Sequence, residues 1–210
     1  MTSFYVVRHG ETLLNRLGRA QGWSDSPLTD KGRKTAMELG EKLKGITFQA
    51  AYTSDTMRAE QTARLILSMS GNEALDIQKD IRLREWCLGG MEAEHNSLFI
   101  QNVSDWLGVS SFAELNKRLS DVAAAIYEHD TTGMAELFAG ISSRLRNVFT
   151  EIAQNSLPDE NSNILIVTHA FVIKTLFYLF APEKLCVVDK VENAAVLKLL
   201  YNGNKFYLQE

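Results

Sequence analysis

Several features are scarce in this 210-residue sequence, and their scarcity excludes some classes of protein. Only two cysteines occur, Cys87 and Cys186, and they lie too far apart in the chain for a metal or redox motif. We expect two reduced, inert thiols, with one structural disulfide as the alternative. Basic residues are not in excess, because 22 lysines and arginines stand against 26 acidic residues, for a net charge of −4. Nucleic acid is therefore not an expected partner.

Long hydrophobic runs are also missing. The N-terminal segment MTSFYVVRHG lacks the charged start and long apolar stretch that are typical of a signal peptide. The most apolar later run, residues 170–182, is too short to span a bilayer, contains Lys174 and ends at Pro182. We therefore expect a cytoplasmic protein without a membrane partner.

Apolar segments with the periodicity of strands and helices alternate along most of the chain. Strands are predicted at residues 4–7, 48–54 and 161–170 and around Ile77, and residues 193–210 predict a hairpin that turns at NGN. Helices are predicted from Thr29 or Asp30 to Gly45, from Ser54 or Asp55 to just before Gly71, within 133–154, and from about Phe171. Such alternation is typical of an α/β fold with a largely parallel sheet.

The segment of residues 93–140 does not follow this alternation. It contains seven acidic residues and two basic ones, and its helical stretches have no clear strand between them. We interpret it as an acidic helical insertion within a single domain of residues 1–210. Its composition does not indicate a second independent domain.

Charged side chains follow the predicted strands at the points where the strands end. Arg8 and His9 end the first strand, Arg58 lies in the first turn of the helix after the second, and His169 follows the fourth. In an open parallel sheet, ligands bind at the carboxyl ends of the strands. Two arginines and two histidines brought together there would repel one another, and a bound anion would relieve that repulsion.

Phosphate is the anion that this set of side chains fits. A phosphoryl group in transfer spreads its charge over three oxygens, and the planar guanidinium group can bind two oxygens at once. Helix N-termini after Gly10 and Ala170 would add backbone N–H donors. The sequence has neither a Walker-type glycine loop nor metal-ligand spacing. It therefore predicts that side chains alone neutralise the charge, with no metal and no cofactor.

The same strand ends offer a nucleophile and an acid. Neutral histidine is nucleophilic near pH 7, and His9 is better placed than His169 because Gly10 allows a ligand to approach closely. Glu85 and Glu92 follow the third strand. We favour Glu85 as the proton donor because it lies closer to the strand end, where partial burial would raise its pKa. Each of these residues alone has an ordinary structural interpretation, and only their joint placement indicates a site.

Five segments of the chain, in order, resemble the motifs of the histidine phosphatase superfamily, the phosphoglycerate mutase-like enzymes. They are VVRHGET with Asn15, RAQGWSDSPLTDKG, YTSDTMRAEQTA, LREWCLGGMEAE and ILIVTHAFVIK. The resemblance extends from residue 5 to about residue 200 and leaves only the acidic insertion uncovered. It implies a three-layer α/β/α sandwich with a mainly parallel sheet and a helical insertion over the C-terminal ends of the strands.

The resemblance also implies a role for individual residues. His9 would be phosphorylated, and Glu85 would donate a proton. The residues that would hold the phosphoryl group are Arg8, Arg58 and His169. The residues that would contact the substrate are Asn15, Gln21, Gly22 and, through its backbone, Ala170. Ala170 stands where the family usually has glycine, which should leave the backbone N–H available.

Within that superfamily, the sequence favours a phosphatase over a mutase. The E-R-H-Y-G segment of mutases is replaced by EWCLGG, and the insertion has a single basic pair, Lys117 and Arg118, in an acidic context that opposes a bisphosphate. We expect a metal-independent phosphomonoesterase that acts through a phosphohistidine on a small phosphorylated metabolite. The alternatives are a phosphoglycerate mutase, a non-catalytic phosphate-binding regulatory module, and a metal hydrolase using His9, Glu11 and His169. Neither the physiological substrate nor the oligomeric state can be read from the sequence.

Overall fold

A mixed six-stranded sheet forms the centre of the computed structural model, which describes residues 1–156, 161–187 and 190–209. The strands are Thr2–Arg8 (β1), Ala50–Thr53 (β2), Ile77–Lys79 (β3), Asn163–Thr168 (β4), Val196–Tyr201 (β5) and Phe206–Leu208 (β6). Their order across the sheet is β3-β2-β4-β1-β5-β6. The first four strands are parallel, and the terminal hairpin of β5 and β6 adds two antiparallel strands beside β1. The predicted, largely parallel sheet is confirmed.

Helices connect the strands and cover the sheet. In the described part of the chain they are Leu13–Arg16 (α1), Asp30–Lys42 (α2), Met57–Ser70 (α3), Asn96–Leu107 (α4), Phe112–Lys117 (α5), Leu119–Glu128 (α6), Phe138–Asn155 (α7) and Ala170–Phe180 (α8). Short 3₁₀ helices are formed by Ile81–Leu83, Gly89–Met91 and Pro182–Val187. The fourth strand is shorter than the predicted 161–170, because Ala170 already opens α8.

The two faces of the sheet are both buried, which explains why β1 and β4 are apolar throughout. Val7 and Val167 pack on one face with residues of α2 and α3. Val6 and Ile166 point to the other face, where they join a cluster with residues of α7 and α8. Helices on both faces of the sheet make the fold a three-layer α/β/α sandwich.

Helix α2 begins where the sequence predicts and ends before the predicted stop. Thr29 is the N-cap, and its side-chain oxygen accepts a hydrogen bond from the Gly32 N–H at 3.0 Å. The helix ends at Lys42, before the predicted stop at Gly45, which lies in the following turn with a φ of +85°. Ala36, Leu39 and Leu43, which recur at helical spacing in this segment, are buried.

The start of α3 differs from the prediction. Its N-cap is Thr56, and neither Ser54 nor Asp55 has that position. Both side chains have partners elsewhere: the Ser54 hydroxyl is 2.8 Å from His169 Nε2, and Asp55 accepts two hydrogen bonds from Arg84. The prediction was wrong because the tertiary contacts of Ser54 and Asp55 take precedence over the local capping preference.

The acidic segment of residues 93–140 folds into α4, α5, α6 and the first residues of α7. The stretch 112–129, which reads as helical in the sequence, is divided into two helices at Arg118. Buried side chains of α4 and α6, such as Phe99 and Ile126, belong to the same hydrophobic cluster as α7 and α8. The single-domain interpretation, with residues 93–140 as an insertion, stays a prediction.

Two further sequence predictions concern membranes and thiols. Among the described residues, no helix combines the length and the apolar character needed to cross a bilayer. Cys87 is a free, buried thiol, and burial raises its pKa. The side chain of Cys186 lies outside the described residues.

Candidate active site

The carboxyl ends of β1 and β4 bring the predicted phosphate-binding side chains into one volume. The two strands are neighbours, and the His9 N–H donates to the Thr168 carbonyl at 3.0 Å. As a result, the rings of His9 and His169 lie with their centroids 5.2 Å apart. Arg58, which enters from the first turn of α3, places Nη2 3.1 Å from His169 Nδ1.

His9 is held as a neutral imidazole with one ring nitrogen available for attack. Its Nδ1 lies 2.8 Å from the Gly10 carbonyl, which can only accept, so Nδ1 carries the proton and Nε2 carries the lone pair. Burial, together with the positive charges of Arg58 and Arg8, holds the pKa of His9 well below 6.5. This is the protonation state that a nucleophilic histidine requires.

His169 is also neutral, but it carries its proton on the other ring nitrogen. Nδ1 accepts a hydrogen bond from the Arg58 guanidinium, which can only donate, so the proton lies on Nε2 and is donated to the Ser54 hydroxyl at 2.8 Å. Burial and the charge of Arg58 hold the pKa of His169 well below 6.5. Both ring nitrogens are therefore engaged, so His169 has no free lone pair with which to attack phosphorus.

Arg58 is fully buried and is held by the loop that precedes α2. Its Nη1 donates to the Ser24 carbonyl at 2.8 Å and to Asp25 at 3.0 Å, and its Nη2 donates to the Gly22 carbonyl at 2.6 Å. Burial lowers the pKa of Arg58, and Asp25 opposes that shift. The guanidinium is therefore charged and locked in orientation before any ligand binds.

Two buried arginine donors have no acceptor within the described residues. Arg8 donates from Nη1 to the Val191 carbonyl at 2.5 Å, but its Nε has no hydrogen-bond partner, and neither has Nε of Arg58. Buried polar groups without partners are rare in folded proteins and call for a physical explanation. Oxygens of a bound phosphoryl group would be suitable acceptors for such donors.

Glu85 lies beside this cluster at the N-terminus of α8. Its carboxylate accepts three backbone hydrogen bonds, from Trp86 at 3.1 Å, Phe171 at 3.0 Å and Val172 at 3.1 Å. Burial raises the pKa of Glu85, while these N–H groups and the charges of Arg58 and Arg8 act in the opposite direction. The carboxyl group is therefore rigidly placed, with a pKa above its ordinary value.

Glu92, the second candidate acid, has a different role. Its two oxygens accept backbone hydrogen bonds from Gly22, Trp23, Ser24 and Leu88 at 2.7 to 3.1 Å. The same loop supplies the carbonyls that hold Arg58, so Glu92 fixes the position of Arg58 through the backbone. No sequence pattern indicates this role, because every partner of Glu92 is a backbone N–H.

A cavity of about 360 Å³ opens onto the site. Its lining includes three of the predicted catalytic residues, Arg8, His9 and Glu85, and three of the predicted substrate contacts, Asn15, Gln21 and Ala170. Arg58 and His169 are fully buried and contact the site from behind this lining. Among the described residues, no group of three or more His, Cys, Asp and Glu side chains is placed to hold a metal ion.

Gly22, the remaining predicted substrate contact, does not line this cavity in the described structure. Its N–H donates to Glu92 and its carbonyl accepts from Arg58. A Cβ atom at this position would overlap the Glu92 carboxylate and the Trp86 carbonyl. The glycine is therefore needed for close packing around Arg58, and a contact of Gly22 with the substrate stays a prediction.

Gly22→Ala is expected to destabilise the protein by about 1–3 kcal/mol, because the overlap with a backbone carbonyl cannot be relieved by rotating a side chain. Urea unfolding measures this loss. Gly140→Ala is the matched control, since no atom lies within 4 Å of a Cβ there and Gly140 is in α7, where alanine favours the helix. Equal stability of the Gly22→Ala variant and the wild type would contradict the packing role.

Two residues that form hydrogen bonds within the site were not predicted from the sequence. Asp25 accepts from Arg58 and from the Met57 N–H at 2.6 Å, and its place in the segment RAQGWSDSPLTDKG could have drawn attention to it. Asn193 donates to the His9 carbonyl at 3.0 Å and to Asn15 at 3.3 Å. Asn193 precedes β5, and no local pattern distinguishes it from other polar residues of that loop.

The charge of the cavity differs from what the composition of residues 93–140 suggested. The described lining contains four residues with cationic side chains and a single carboxylate; these are Arg8, Arg19, Lys174, Lys190 and Glu85. The acidic segment contributes only Asn96, Phe99 and Ile100 to that lining. Its net charge is therefore no argument against a substrate with two anionic groups.

The acidic side chains of that segment are used to hold the fold. Asp130 accepts hydrogen bonds from the backbone of Gly90, Thr132 and Ala135, and these bonds lower its pKa. Glu136 forms an ion pair with Arg144 at 2.8 Å. A net charge computed from the sequence does not reveal which way each carboxylate points.

Acidification is expected to cost the wild type stability through the two site histidines. Burial and neighbouring cations hold the pKa of His9 and His169 well below 6.5. As the pH falls below about 6.5, the unfolded chain binds protons that the folded chain does not, so the free energy of unfolding falls. The loss is at most about 1.4 kcal/mol per pH unit for each histidine.

Urea unfolding at a series of pH values checks this expectation, with His169→Gln as the comparison. Glu85, whose pKa is raised, acts in the opposite direction above its ordinary pKa of 4.5 and does so in both proteins. The wild type should therefore lose more stability than His169→Gln between about pH 7 and pH 5. Identical losses would mean that His169 is protonated in the folded protein.

The site belongs to a chain that matches a known family over almost its full length. The family described as the histidine phosphatase superfamily (branch 1) matches residues 4–210. The protein is a member of that superfamily, and the resemblance found in the sequence motifs is confirmed.

Relatives with known structures or assigned names include mutases and phosphatases. The chain is 32% identical over 176 residues to the probable phosphoglycerate mutase GpmB of Citrobacter koseri, covering 84% of this chain and 73% of that protein. Other curated relatives of the same name align over about half of their length. A solved phosphoglycerate mutase of Bacillus anthracis is 36% identical, with a TM-score of 0.93 and coverage of 99% and 91%. The alpha-ribazole phosphatase of Shigella flexneri, 24% identical with a TM-score of 0.73 and coverage of 99% and 94%, shares the fold.

Proposed function

We propose that this protein is a metal-independent phosphomonoesterase that acts on a small phosphorylated metabolite through a phosphohistidine at His9. The proposal rests on the protonation state and the surroundings of His9. Its Nδ1 is tied to the Gly10 carbonyl, its Nε2 is free for attack, and it stands beside two arginines in an accessible cavity.

The proposed reaction has two steps. In the first, Nε2 of His9 forms a bond to phosphorus while the bond from phosphorus to the ester oxygen breaks, and protonated Glu85 gives its proton to the departing oxygen. Arg8 and Arg58 hold the phosphoryl oxygens during this transfer, and His169 does so once its Nε2–H exchanges the Ser54 hydroxyl for a phosphoryl oxygen. In the second step, water attacks phosphorus, Glu85 takes up a proton from that water, the bond to His9 breaks, and inorganic phosphate leaves.

A phosphoglycerate mutase is the second candidate, and two observations favour it. The relatives at 32% and 36% identity carry that name, and the described cavity lining has three further cationic residues besides Arg8. A mutase would transfer the phosphoryl group from His9 to another oxygen of the substrate instead of to water. The replacement of the mutase segment by EWCLGG supports the phosphatase, and this is why we place it first.

Incubation with 3-phosphoglycerate, primed with a trace of bisphosphoglycerate, separates these candidates. We expect inorganic phosphate to be released faster than 2-phosphoglycerate is formed, and we expect p-nitrophenyl phosphate to be hydrolysed at the same rate with and without EDTA. Faster isomer formation would establish the mutase. A strict metal requirement would reject the mechanism, and anion binding without turnover of any phosphate ester would indicate a non-catalytic module.

A further inference from the structure

Glu85 lies in a segment without helix or strand structure, so other residues must hold its position. Residues 84–88 follow a 3₁₀ helix and precede another. A catalytic group needs to be placed to within a fraction of an ångström, and a displacement of about 1 Å can cost about 100-fold in rate. The question is which side chains hold this segment.

Arg144, in the middle of α7, binds the backbone on the N-terminal side of this segment. Its Nη1 donates to the carbonyls of Arg82 at 2.8 Å and Arg84 at 2.7 Å, and its Nη2 donates to the carbonyl of Glu85 itself at 2.9 Å. Three carbonyls within four residues are thus bound by one rigid, planar group. The five donors of a guanidinium suit such an arrangement, whereas the single ammonium of lysine would not reproduce it.

Glu136 completes the arrangement from the other side. Its carboxylate forms a two-point ion pair with Arg144, Nε to Oε1 at 2.8 Å and Nη2 to Oε2 at 2.9 Å, and it accepts the N–H of Cys87 at 3.0 Å. The side chains of the pair are only 14% and 19% exposed. The pair therefore forms hydrogen bonds to the backbone on both sides of Glu85.

The segment has additional anchors. The Glu85 carboxylate itself accepts from the Phe171 and Val172 N–H groups, and the anchors of the backbone lie elsewhere along it or share an atom with Arg144. The Thr168 hydroxyl donates to the Leu83 carbonyl at 2.8 Å, and the Trp23 indole N–H donates to the Glu85 carbonyl at 3.0 Å. Neither contacts the Arg84 carbonyl or the Cys87 N–H. The orientation of the peptide units directly flanking Glu85 thus depends on the Arg144–Glu136 pair.

We propose that Arg144 and Glu136 are positioning residues that set the Glu85 carboxyl group at the distance and angle needed to transfer a proton to the leaving oxygen. This inference rests on the proposed function of Glu85 as the acid. Neither residue touches the described cavity, and their effect is exerted through the peptide units they bind. Their loss should therefore affect proton transfer more than binding or attack by His9.

Arg144→Ala tests the proposal with two substrates that differ in leaving group. An alkyl phosphate needs a proton from Glu85, whereas p-nitrophenyl phosphate releases an anion that is stable without one. We expect kcat for the alkyl phosphate to fall at least about tenfold more than kcat for p-nitrophenyl phosphate. Added guanidinium ion should restore part of the alkyl phosphate activity, which no loss of folding stability would explain.

Arg146→Ala is the matched control, since Arg146 lies on the same helix, is exposed and stacks on Phe180. It should leave both rates unchanged.

If Arg144→Ala fails to fold, Glu136→Gln is measured in its place, because this substitution removes the ion pair with less change in shape. Equal slowing of the two substrates, or no slowing, overturns the positioning role. If Glu85→Gln itself slows the two substrates equally, the acid role of Glu85 fails instead, which separates the two failures.

Discussion

His9→Ala is expected to lower kcat/KM for p-nitrophenyl phosphate by at least about 1,000-fold, because the substitution removes the nucleophile of the proposed reaction. No other described imidazole is placed to substitute for it: His95 does not line the described cavity, and the other two rings have partners. The ring nitrogens of His169 are engaged with Arg58 and Ser54, and His129 bonds to the Ala125 carbonyl and stacks on Trp106 in the acidic segment. Water would have to attack the phosphate ester directly.

Labelling with a radioactive phosphate ester measures the same step independently of turnover. Wild-type protein should acquire a label that is lost in acid and retained in alkali, as expected of a phosphorus–nitrogen bond, and His9→Ala should acquire none. His129→Ala, in which an exposed histidine outside the site is removed, should label normally. A labelled His9→Ala variant would show that another residue is the nucleophile.

Glu85→Gln is expected to slow the hydrolysis of alkyl phosphates by about 100-fold or more, because the amide cannot donate a proton to the departing oxygen. The effect on p-nitrophenyl phosphate should be much smaller. A plot of log kcat against the pKa of the leaving group should therefore become steeper in the variant. The protein also loses one acceptor at the N-terminus of α8, so its folding must be checked by urea unfolding.

Glu92→Gln provides the contrast for this experiment. Glu92 is also a carboxylate held by backbone N–H groups, but it fixes the loop that orients Arg58. Weaker holding of the phosphoryl group should slow all substrates to a similar extent, whatever their leaving group. If Glu85→Gln also slowed all substrates equally, Glu85 would not be the proton donor.

The fold was predictable because its signals are local. Continuous apolar runs such as Val6-Val7 and Ile166-Val167 indicate strands buried on both faces, and the structure places helices on both sides of them. Thr29 caps α2 as its sequence suggests. The cap of α3 was wrong because Ser54 and Asp55 bond to His169 and Arg84, which are distant in the sequence.

The inference drawn from the net charge of residues 93–140 does not hold, for a related reason. The acidic composition of residues 93–140 suggested an acidic cavity, yet Asp130 and Glu136 bind backbone groups and Arg144, away from the described lining. Composition counts charges without their directions, and at separations of a few ångströms the direction decides the field that a ligand experiences. This is why the preference for a phosphatase now depends on the segment EWCLGG and on the experiments above.

The sequence by itself determined the superfamily, the layered α/β fold and the residue types proposed for the chemistry, since motifs and apolar periodicity are properties of contiguous residues. Only the tertiary structure decided which nitrogen of His9 is free, what holds Arg58 in place and how Glu85 is oriented. Those features depend on hydrogen bonds such as Arg144 to the Glu85 carbonyl and Glu92 to the Gly22 N–H, which join residues about 60 and 70 positions apart. Contacts of that kind leave no periodic signal in a sequence, because they arise only when the folded chain brings the partners together.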